Sequence, residues 1–525
     1  MNLHAWSWLF LVLYIIAMMG FGYVGSRRVS DADDYATARA GYGPLILALA
    51  FASTAASGAT FLGLPGLTYN YGLSTLWIAF LYPLGIYTGI LICQRTIGRY
   101  GNLAGVRSIP EYLGERYQSE VLRLSAAIFS LILLFYLAGQ LVAGLVIFEM
   151  MLGLPQSWAL TITTAVLLGY VTLGGAHADI LTDGLQGFLM VALAVAILIM
   201  FLLGVGNGGL GVLLENLSTQ DSQLVRPFNS GAAITASVWA FISLTIAHIP
   251  LGLLPHIGNK LWALKDERAR TRFLVMAFVF GLILPAITLG GALARGVLGD
   301  SLIAGGANGA NTALPALFLE IFPTWLAALL GVGILAAVMS TADGLVISTS
   351  QVFANDIYRR SIAPRWHARL EQSVLDQNVL FISRVVTALT LLGSAVLAWF
   401  VIDMNVVLLV WVGIGGFTAA LAGPLVLGSV WQGVTRAGAI WGFWMGAILF
   451  ILIHGEILSG SWLVGTSMEN FGRWFDFNAT SPYSAATLAG LTAALVTTLV
   501  SWVTEPLPEA HLIQISGALS GGPRK

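Results

Sequence analysis

The sequence predicts an all-α protein that crosses a lipid bilayer many times, and three observations carry that prediction. Hydrophobic residues make up 57% of the chain and charged ones only 9%, where soluble domains carry roughly 25% charge; the mean hydropathy is +0.85. The apolar residues fall into about thirteen stretches of about 20 residues, the length a helix needs to cross the hydrocarbon core. The basic residues gather in alternate connections between those stretches. A net charge of -1 offers nothing to a nucleic acid, and a single cysteine, Cys93, excludes an internal disulfide and a cysteine metal cluster.

In chain order the predicted spans are 6–24, 44–71, 75–94, 122–151, 157–175, 181–204, 232–254, 271–297, 318–353, 378–402, 405–430, 436–455 and 483–503. The first has no Lys or Arg before it and no small-residue cleavage site, so it reads as a retained helix and not a signal peptide. The second and ninth are longer than a simple crossing needs, which calls for tilt, a break or an extension. With the N-terminus outside, all of the 24 Lys and Arg residues except Arg226, Arg295 and Arg473 lie on the inner side. The positive-inside rule therefore predicts an outer N-terminus, an odd number of spans and an inner C-terminus. The outer loops 205–231, 298–317 and 456–482 are rich in Gly, Asn and Ser, and the aromatics of the last suit an interfacial cap or lid. Its Asn478-Ala479-Thr480 matches a glycosylation acceptor. No soluble domain interrupts residues 1–525, which read as one membrane domain.

Inside the second span lies FASTAASGATFLGLPG, residues 51–66. Small residues let helix backbones approach closely, while Gly with Pro65 weakens the helical ladder. A freed carbonyl at that depth survives only against protein or a polar cavity. The stretch by itself fits either a close-packed crossing helix or an opened turn whose oxygens hold a small cation.

Further polar residues sit at membrane depth. In the ninth span Ala337, Ser340 and Thr341 share one helix face, with Asp343 close by. An acid in a crossing helix faces the bundle interior or a wet path. Asp183 and Gln186 in the sixth span share a face, whereas His177 and Asp179 before them read as solvated loop residues. Tyr136 and Gln140 form a polar stripe on the fourth span. His248 in the seventh reads either as a structural histidine or as a proton site. No HExxH, Walker A loop, GxSxG or glycosidase-like pair of carboxylates is present, and the Gly-rich stretches lack the strand–turn–helix context of a nucleotide site.

Four motifs in order, ASTAASGATFLGLPG with YNYGL after it, GGAHADILTDGLQG, LPHIGNKLWALKD, and LAAVMSTADGLVIS with NDIY following, resemble the sodium/solute symporter family over about Tyr35 to Leu427. The Pro255-His256 pair and the GLPG turn are similar to its proline and pantothenate branches. The resemblance implies a leucine-transporter-type fold: inverted five-helix repeats at 44–204 and 232–430, with an extra N-terminal helix at 6–24 and two further helices within 436–503. It implies sodium held by carbonyls of Ser53, Ala56 and Ala337 and by the hydroxyls of Ser340 and Thr341, with Asp183 on the ion's exit path. It further implies a sodium-coupled symporter of the cell membrane, not an enzyme, with sodium as coupling ion and no organic cofactor. Two departures bear on the solute. Proline-type carriers have an acid where this chain has Ala55, and the carboxylate-binding arginine of sialic acid carriers has no counterpart on the fourth span beyond Arg123 at its inner end.

The expected solute site is Ser57 and Thr60 beside the opened turn, with Trp77, Tyr136 and Gln140. With no buried Arg or Lys at mid-membrane, a carboxylate would rest on a half-helix N-terminus. That favours pantothenate or another monocarboxylate, an amino acid, or a neutral polar solute over a dicarboxylate. Rival readings are a proton-coupled carrier using Asp343, Asp183 or His248, a transporter-like sensor, which here lacks an attached kinase, and a membrane enzyme, which lacks a catalytic constellation.

Overall fold

The computed structural model describes residues 1–265, 267–366 and 370–520. These residues fold into helices, joined by turns and by one isolated β-bridge between Tyr42 and Leu264. Helix α1, Leu3–Ser26, starts where the Asn2 side chain accepts the Ala5 N–H at 2.9 Å. Its outward Val12, Leu13 and Ile16 are exposed, an apolar surface suited to lipid.

Helix α2, Pro44–Ala55, opens with Pro44 in its first turn, where the missing N–H costs nothing. It stops at Ala56, whose φ of -95° and ψ of 79° leave the helical region. A π-helical turn, Ala59–Gly63, restarts the chain, and α3, Leu64–Tyr71, follows with Pro65 in its first turn. The break in the second span therefore lies at residues 56–58 and not at Pro65. The proline follows a turn that has already left the regular i→i−4 ladder, so little is lost there.

The fourth predicted span is Glu120–Phe129 continued through a 3₁₀ turn into α4, Leu133–Leu152. The fifth and sixth are two legs of one element, α5, Gln156–Leu203, kinked at Gly175 with φ 53° and ψ -146°. Only glycine adopts that conformation readily, and a Cβ there would lie 2.5 Å from the Tyr35 carbonyl oxygen. The seventh span, from α6, Val238–His248, bends by 54° into Pro255–Trp262, which begins with α7, Pro255–Gly258. Main-chain bonds from Ala40 N to Trp262 O, Tyr42 N to Ala263 O and Lys265 N to Tyr42 O, at 2.9–3.1 Å, pin this bent segment to the start of α2.

The ninth span is shorter than its apolar run. Ala313–Ile321 is a separate helix, and α8, Thr324–Gln351, begins after Pro323 before continuing as a π-helix to Ile362. Every side chain of α8 from Ile334 to Gln351 is buried, so α8 is the axis of the bundle. Helices α9, Val406–Leu421, α10, Arg436–His454, and α11, Pro482–Val503, pack on one another, and α9 packs on α4. By length and composition ten described helices could cross a membrane, or eleven with the bent pair counted as one span. With 12 residues, α2 is too short to count alone because of its break.

The segment expected as an outer lid contains a helix, Glu469–Ala479, whose Trp474 ring lies 5.3 Å from Trp239. Asn478 is 2% exposed and donates to the Trp474 carbonyl at 2.8 Å. The asparagine of the acceptor-like tripeptide is thus packed into the fold, while Thr480 is exposed.

A polar network closes the face predicted to be inner. Burial alone would raise the Asp33 carboxyl, but Arg39 at 2.9 Å and Arg107 at 3.3 Å hold it below its ordinary value. Buried Glu111 accepts from Arg107 N at 2.8 Å, Asn355 Nδ2 at 2.9 Å and Arg360 Nε at 2.8 Å. Removing one partner of such a set strands the rest. Glu111→Ala should therefore destabilise the protein by about 3 kcal/mol. Because Cys93 is fully buried, a thiol-reactive dye in a thermal ramp reports the loss as a lower unmasking temperature, with Glu111→Gln falling between.

Candidate functional site: the broken helix and its neighbours

The last turn of any helix leaves carbonyls without internal partners, and the end of α2 lies deep in the protein. Its ladder closes with Ala56 N donating to Ala52 O at 2.9 Å. The next amides turn elsewhere: Gly58 N to Gln140 Oε1 at 2.9 Å, Ala59 N to Ser57 Oγ at 3.2 Å, and Thr60 N to Ser57 O at 2.8 Å. The carbonyls of Thr54, Ala55 and Ala56 are thereby released from their usual donors. Helix α8 supplies replacements. Ser340 Oγ donates to Ser53 O and Thr341 Oγ1 to Thr54 O, each at 3.1 Å and fully buried.

The structure thus brings Ser53, Ser340 and Thr341 to one junction, with Ala56 as the first residue beyond α2 and Ala337 one turn earlier on α8. Both alanines are buried. The Thr54 carbonyl is a member that sequence reasoning missed, since no side-chain pattern reveals which carbonyls a break frees. Neutral hydroxyl and carbonyl oxygens make a hard donor set suited to a small hard cation. Among the described residues no group of three His, Cys, Asp or Glu could hold a metal ion.

Just beyond the junction lies a buried ionic cluster. Asp183 accepts from Thr54 Oγ1 at 2.7 Å through Oδ2, and from Ser53 Oγ at 3.2 Å through its main-chain carbonyl. Lys260 Nζ donates to Thr54 Oγ1 at 2.6 Å, contacts Asp183 Oδ2 and reaches Asp179 Oδ2 at 3.0 Å. Two expectations are corrected here. His177 and Asp179 are not solvated loop residues, for both are 6% exposed and His177 Nδ1 is 2.9 Å from Tyr42 Oη. Nor is the interior without a basic side chain, because the bend after Leu254 carries Lys260 inward to 4% exposure. Asp343 is also fully buried on α8. Gln186 donates to Tyr14 Oη at 2.6 Å, tying α5 to α1.

On the other side of the break is a small cavity. Ser57, Thr60 and Tyr136 line it, together with Ala55, Tyr82, His248, Trp411 and Tyr483. Gln140 does not line it; its carbonyl oxygen instead holds Gly58 N at the restart of the helix. That bond, with Ser57 Oγ on Ala59 N, fills the half-helix N-terminus where a carboxylate was expected. Trp77 also falls outside. It is 42% exposed, donates Nε1 to Pro227 O at 3.1 Å and packs on Phe241 at 5.2 Å. The aromatic wall is built by Trp411, 4.6 Å from both His248 and Tyr483, with Tyr82 5.6 Å from His248. His248 Nδ1 lies 2.7 Å from the Leu244 carbonyl; a carbonyl only accepts, so Nδ1 carries the proton and Nε2 is left as an acceptor. A polar aromatic one or two residues before a proline, as with Tyr82 and His248, was the available signal for those two. Trp411 and Tyr483 carried none that separates them from packing aromatics.

A buried broken helix bonded to a hydroxyl-bearing partner helix, inside an all-helical bundle, is the architecture of a secondary transporter. Solved structures agree. The chain matches a Na+-coupled sialic acid symporter, substrate-bound and outward-open, with a TM-score of 0.73 and 18% identity over 96% of this chain and 99% of that one. It matches MhsT in complex with L-phenylalanine with a TM-score of 0.51 and 14% identity, over 86% and 100%. The fold is of the leucine-transporter type. The profile of the Sodium:solute symporter family matches residues 35–446, and the chain belongs to that family. It is 29% identical to a sodium/proline symporter of Salmonella typhimurium strain LT2, over 84% of this chain and 86% of that protein. It is 26% identical to a sodium/pantothenate symporter of Escherichia coli strain K12, over 84% and 89%. The protein is accordingly an integral membrane, sodium-coupled solute symporter and not an enzyme.

If the cavity holds the solute, Trp411→Ala should raise the solute concentration for half-maximal uptake by about tenfold, because it removes a wall of the cavity. Trp77→Phe should leave it within about twofold. Uptake into proteoliposomes at saturating sodium reads both.

Proposed function

We propose that the protein imports a small organic solute by alternating access, with sodium seated between α2 and α8 and the solute in the aromatic cavity. Sodium takes the carbonyls of Ser53, Ala56 and Ala337 and the hydroxyls of Ser340 and Thr341. The observation that carries this reading is the pair of buried hydroxyl bonds from α8 to the freed carbonyls of α2. In the bundle's low dielectric those oxygens need a partner, and a cation binding them ties two helices at once. The N-terminus lies outside, and repeats at about 44–204 and 232–430 move against each other around this junction.

Ser57 lines the cavity while Ala56, its neighbour, belongs to the ion junction, so both ligands depend on one three-residue break. Sodium holds that break in shape, and the solute then meets a cavity already formed. The ion leaves on the inner side past Asp183. The membrane potential contributes about 2.3 kcal/mol per charge per 100 mV, enough for roughly fifty-fold accumulation per sodium ion.

The solute is small and uncharged overall, or a weakly held monocarboxylate. The residues lining the cavity carry no Asp, Glu, Lys or Arg, and the half-helix N–H groups are already capped. Pantothenate, an amino acid and a neutral polar solute fit these limits better than a dicarboxylate. Relatives named for proline and pantothenate support this class, although Ala55 in the cavity wall supplies no carboxylate for an ammonium group.

Ser340→Ala and Thr341→Ala should each raise the sodium concentration for half-maximal uptake by about tenfold or more, since each deletes one hard oxygen ligand. Unchanged sodium dependence in both would refute the site, and uptake driven by a pH gradient without sodium would favour proton coupling instead. Asp183→Asn should lower turnover more than it weakens solute binding from the outer side; a parallel fall would place Asp183 in the binding site.

A further inference from the structure

We propose that Lys260 is a tethered cation that competes with departing sodium for Asp183, so that release to the inner side is an exchange of sodium for the lysine ammonium. This inference rests on the reading that sodium sits between α2 and α8. Lys260 Nζ bonds Thr54 Oγ1, and the carbonyl of that same residue accepts from Thr341. One residue, Thr54, therefore separates the ammonium from the ion junction. A mobile ion leaving the junction toward Asp183 meets the Lys260 charge directly in its way.

The cluster is built to hold more positive charge than the lysine brings. Two carboxylates, Asp183 and Asp179, face one ammonium. Each acid uses one oxygen on Lys260, and the second oxygen of each is buried with no hydrogen-bond partner among the described residues. Asn259 Oδ1 and both ring nitrogens of His256 are likewise buried with no hydrogen-bond partner among the described residues, and neither residue is more than 9% exposed. Asp179, His256, Asn259 and Lys260 line one cavity with Ser348 and Thr37 on its wall. Buried polar atoms left without partners are costly, and a cation in transit would satisfy the oxygens and the unprotonated nitrogen of His256.

The lysine is also placed to leave and return. It lies in the segment that follows the 54° bend after α6, while both acids belong to α5. Movement of the bent segment relative to α5 would lengthen the Lys260 contacts without breaking either helix. When sodium reaches Asp183, the ammonium swings aside; when sodium leaves, it closes on both acids again and keeps the ion from rebinding.

The test uses purified full-length protein and 22Na+ alone, so it needs no identified solute. Lys260→Met leaves the acids without their tethered competitor. It should bind 22Na+ about tenfold more tightly and release it about tenfold more slowly than wild type. Lys260→Arg, which keeps the charge, should stay within about threefold of wild type. The double variant Asp179→Asn with Lys260→Met has the wild-type charge balance but no competitor, and it too should hold sodium more tightly. Unreactive Cys93 identifies folded protein in each case. Wild-type affinity and release in a folded Lys260→Met, or in the double variant should the single one not fold, would reduce Lys260 to a structural tie. If wild-type binding of 22Na+ does not weaken in Ser340→Ala and Thr341→Ala, the proposed ion site itself fails, a different outcome from failure of the exchange.

Discussion

A helix broken inside an apolar bundle must find new partners for its backbone, and this constraint shapes the centre of the molecule. The amides after Ala56 go to Gln140 and Ser57, and the carbonyls of Ser53 and Thr54 go to Ser340 and Thr341. Left unpaired, each such group would cost several kcal/mol. The partners come from α4 and α8, so those helices must approach the break closely. Gly58 permits it: a Cβ there would stand 2.9 Å from both Gln140 Oε1 and Val338 Cγ2. The same need keeps α8 sheathed on every side from Ile334 to Gln351, because its hydroxyls replace a helical ladder only where water does not compete.

Charge obeys a parallel rule. A buried ammonium is tolerated when acids and hydroxyls surround it, and Lys260 meets Asp179, Asp183 and Thr54. The pairing between residues 40–42 and 262–265 fixes the bent segment beside α2, so the ionic cluster and the broken helix are held in one frame. Farther toward the predicted inner face, Glu111 joins its own helix, Ile109–Tyr117, to the π-helix after α8 through Asn355 and Arg360. One long element therefore carries the proposed ion ligands at its middle and closes the inner network at its end. Motion of α8 would be felt at both places.

The aromatic cavity lies on the opposite side of the break from the ionic cluster. Its wall draws on residues far apart in the chain, Tyr82, Tyr136, His248, Trp411 and Tyr483, none of them formally charged in the tautomer the Leu244 bond selects for His248. A neutral wall beside a neutral ion junction leaves recognition to hydrogen bonds and ring faces. That division assigns the fixed charges to the ion's route and leaves the solute's site to shape.

Composition and hydropathy alone determined that the chain is helical and membrane-spanning, because apolar runs of this length have few other stable homes. Helical spacing put Ala337, Ser340 and Thr341 on one face, and the small-residue stretch 51–66 marked the segment that breaks. Which carbonyls the break frees was not legible: Pro65 drew attention, yet the opening came at residues 56–58, where amides find better partners in Gln140 and Ser57. Hydropathy also left Lys260, Asp179 and His177 outside the bundle, since it scores each residue without its partners. Only the tertiary structure, by bending the chain at Leu254 and kinking it at Gly175, brought opposite charges together and made their burial affordable. Trp77 shows the converse, an aromatic in the right span that the helix turns outward to Pro227. Sequence period decides which residues share a face, whereas the direction that face takes depends on neighbours that the chain meets only after it has folded.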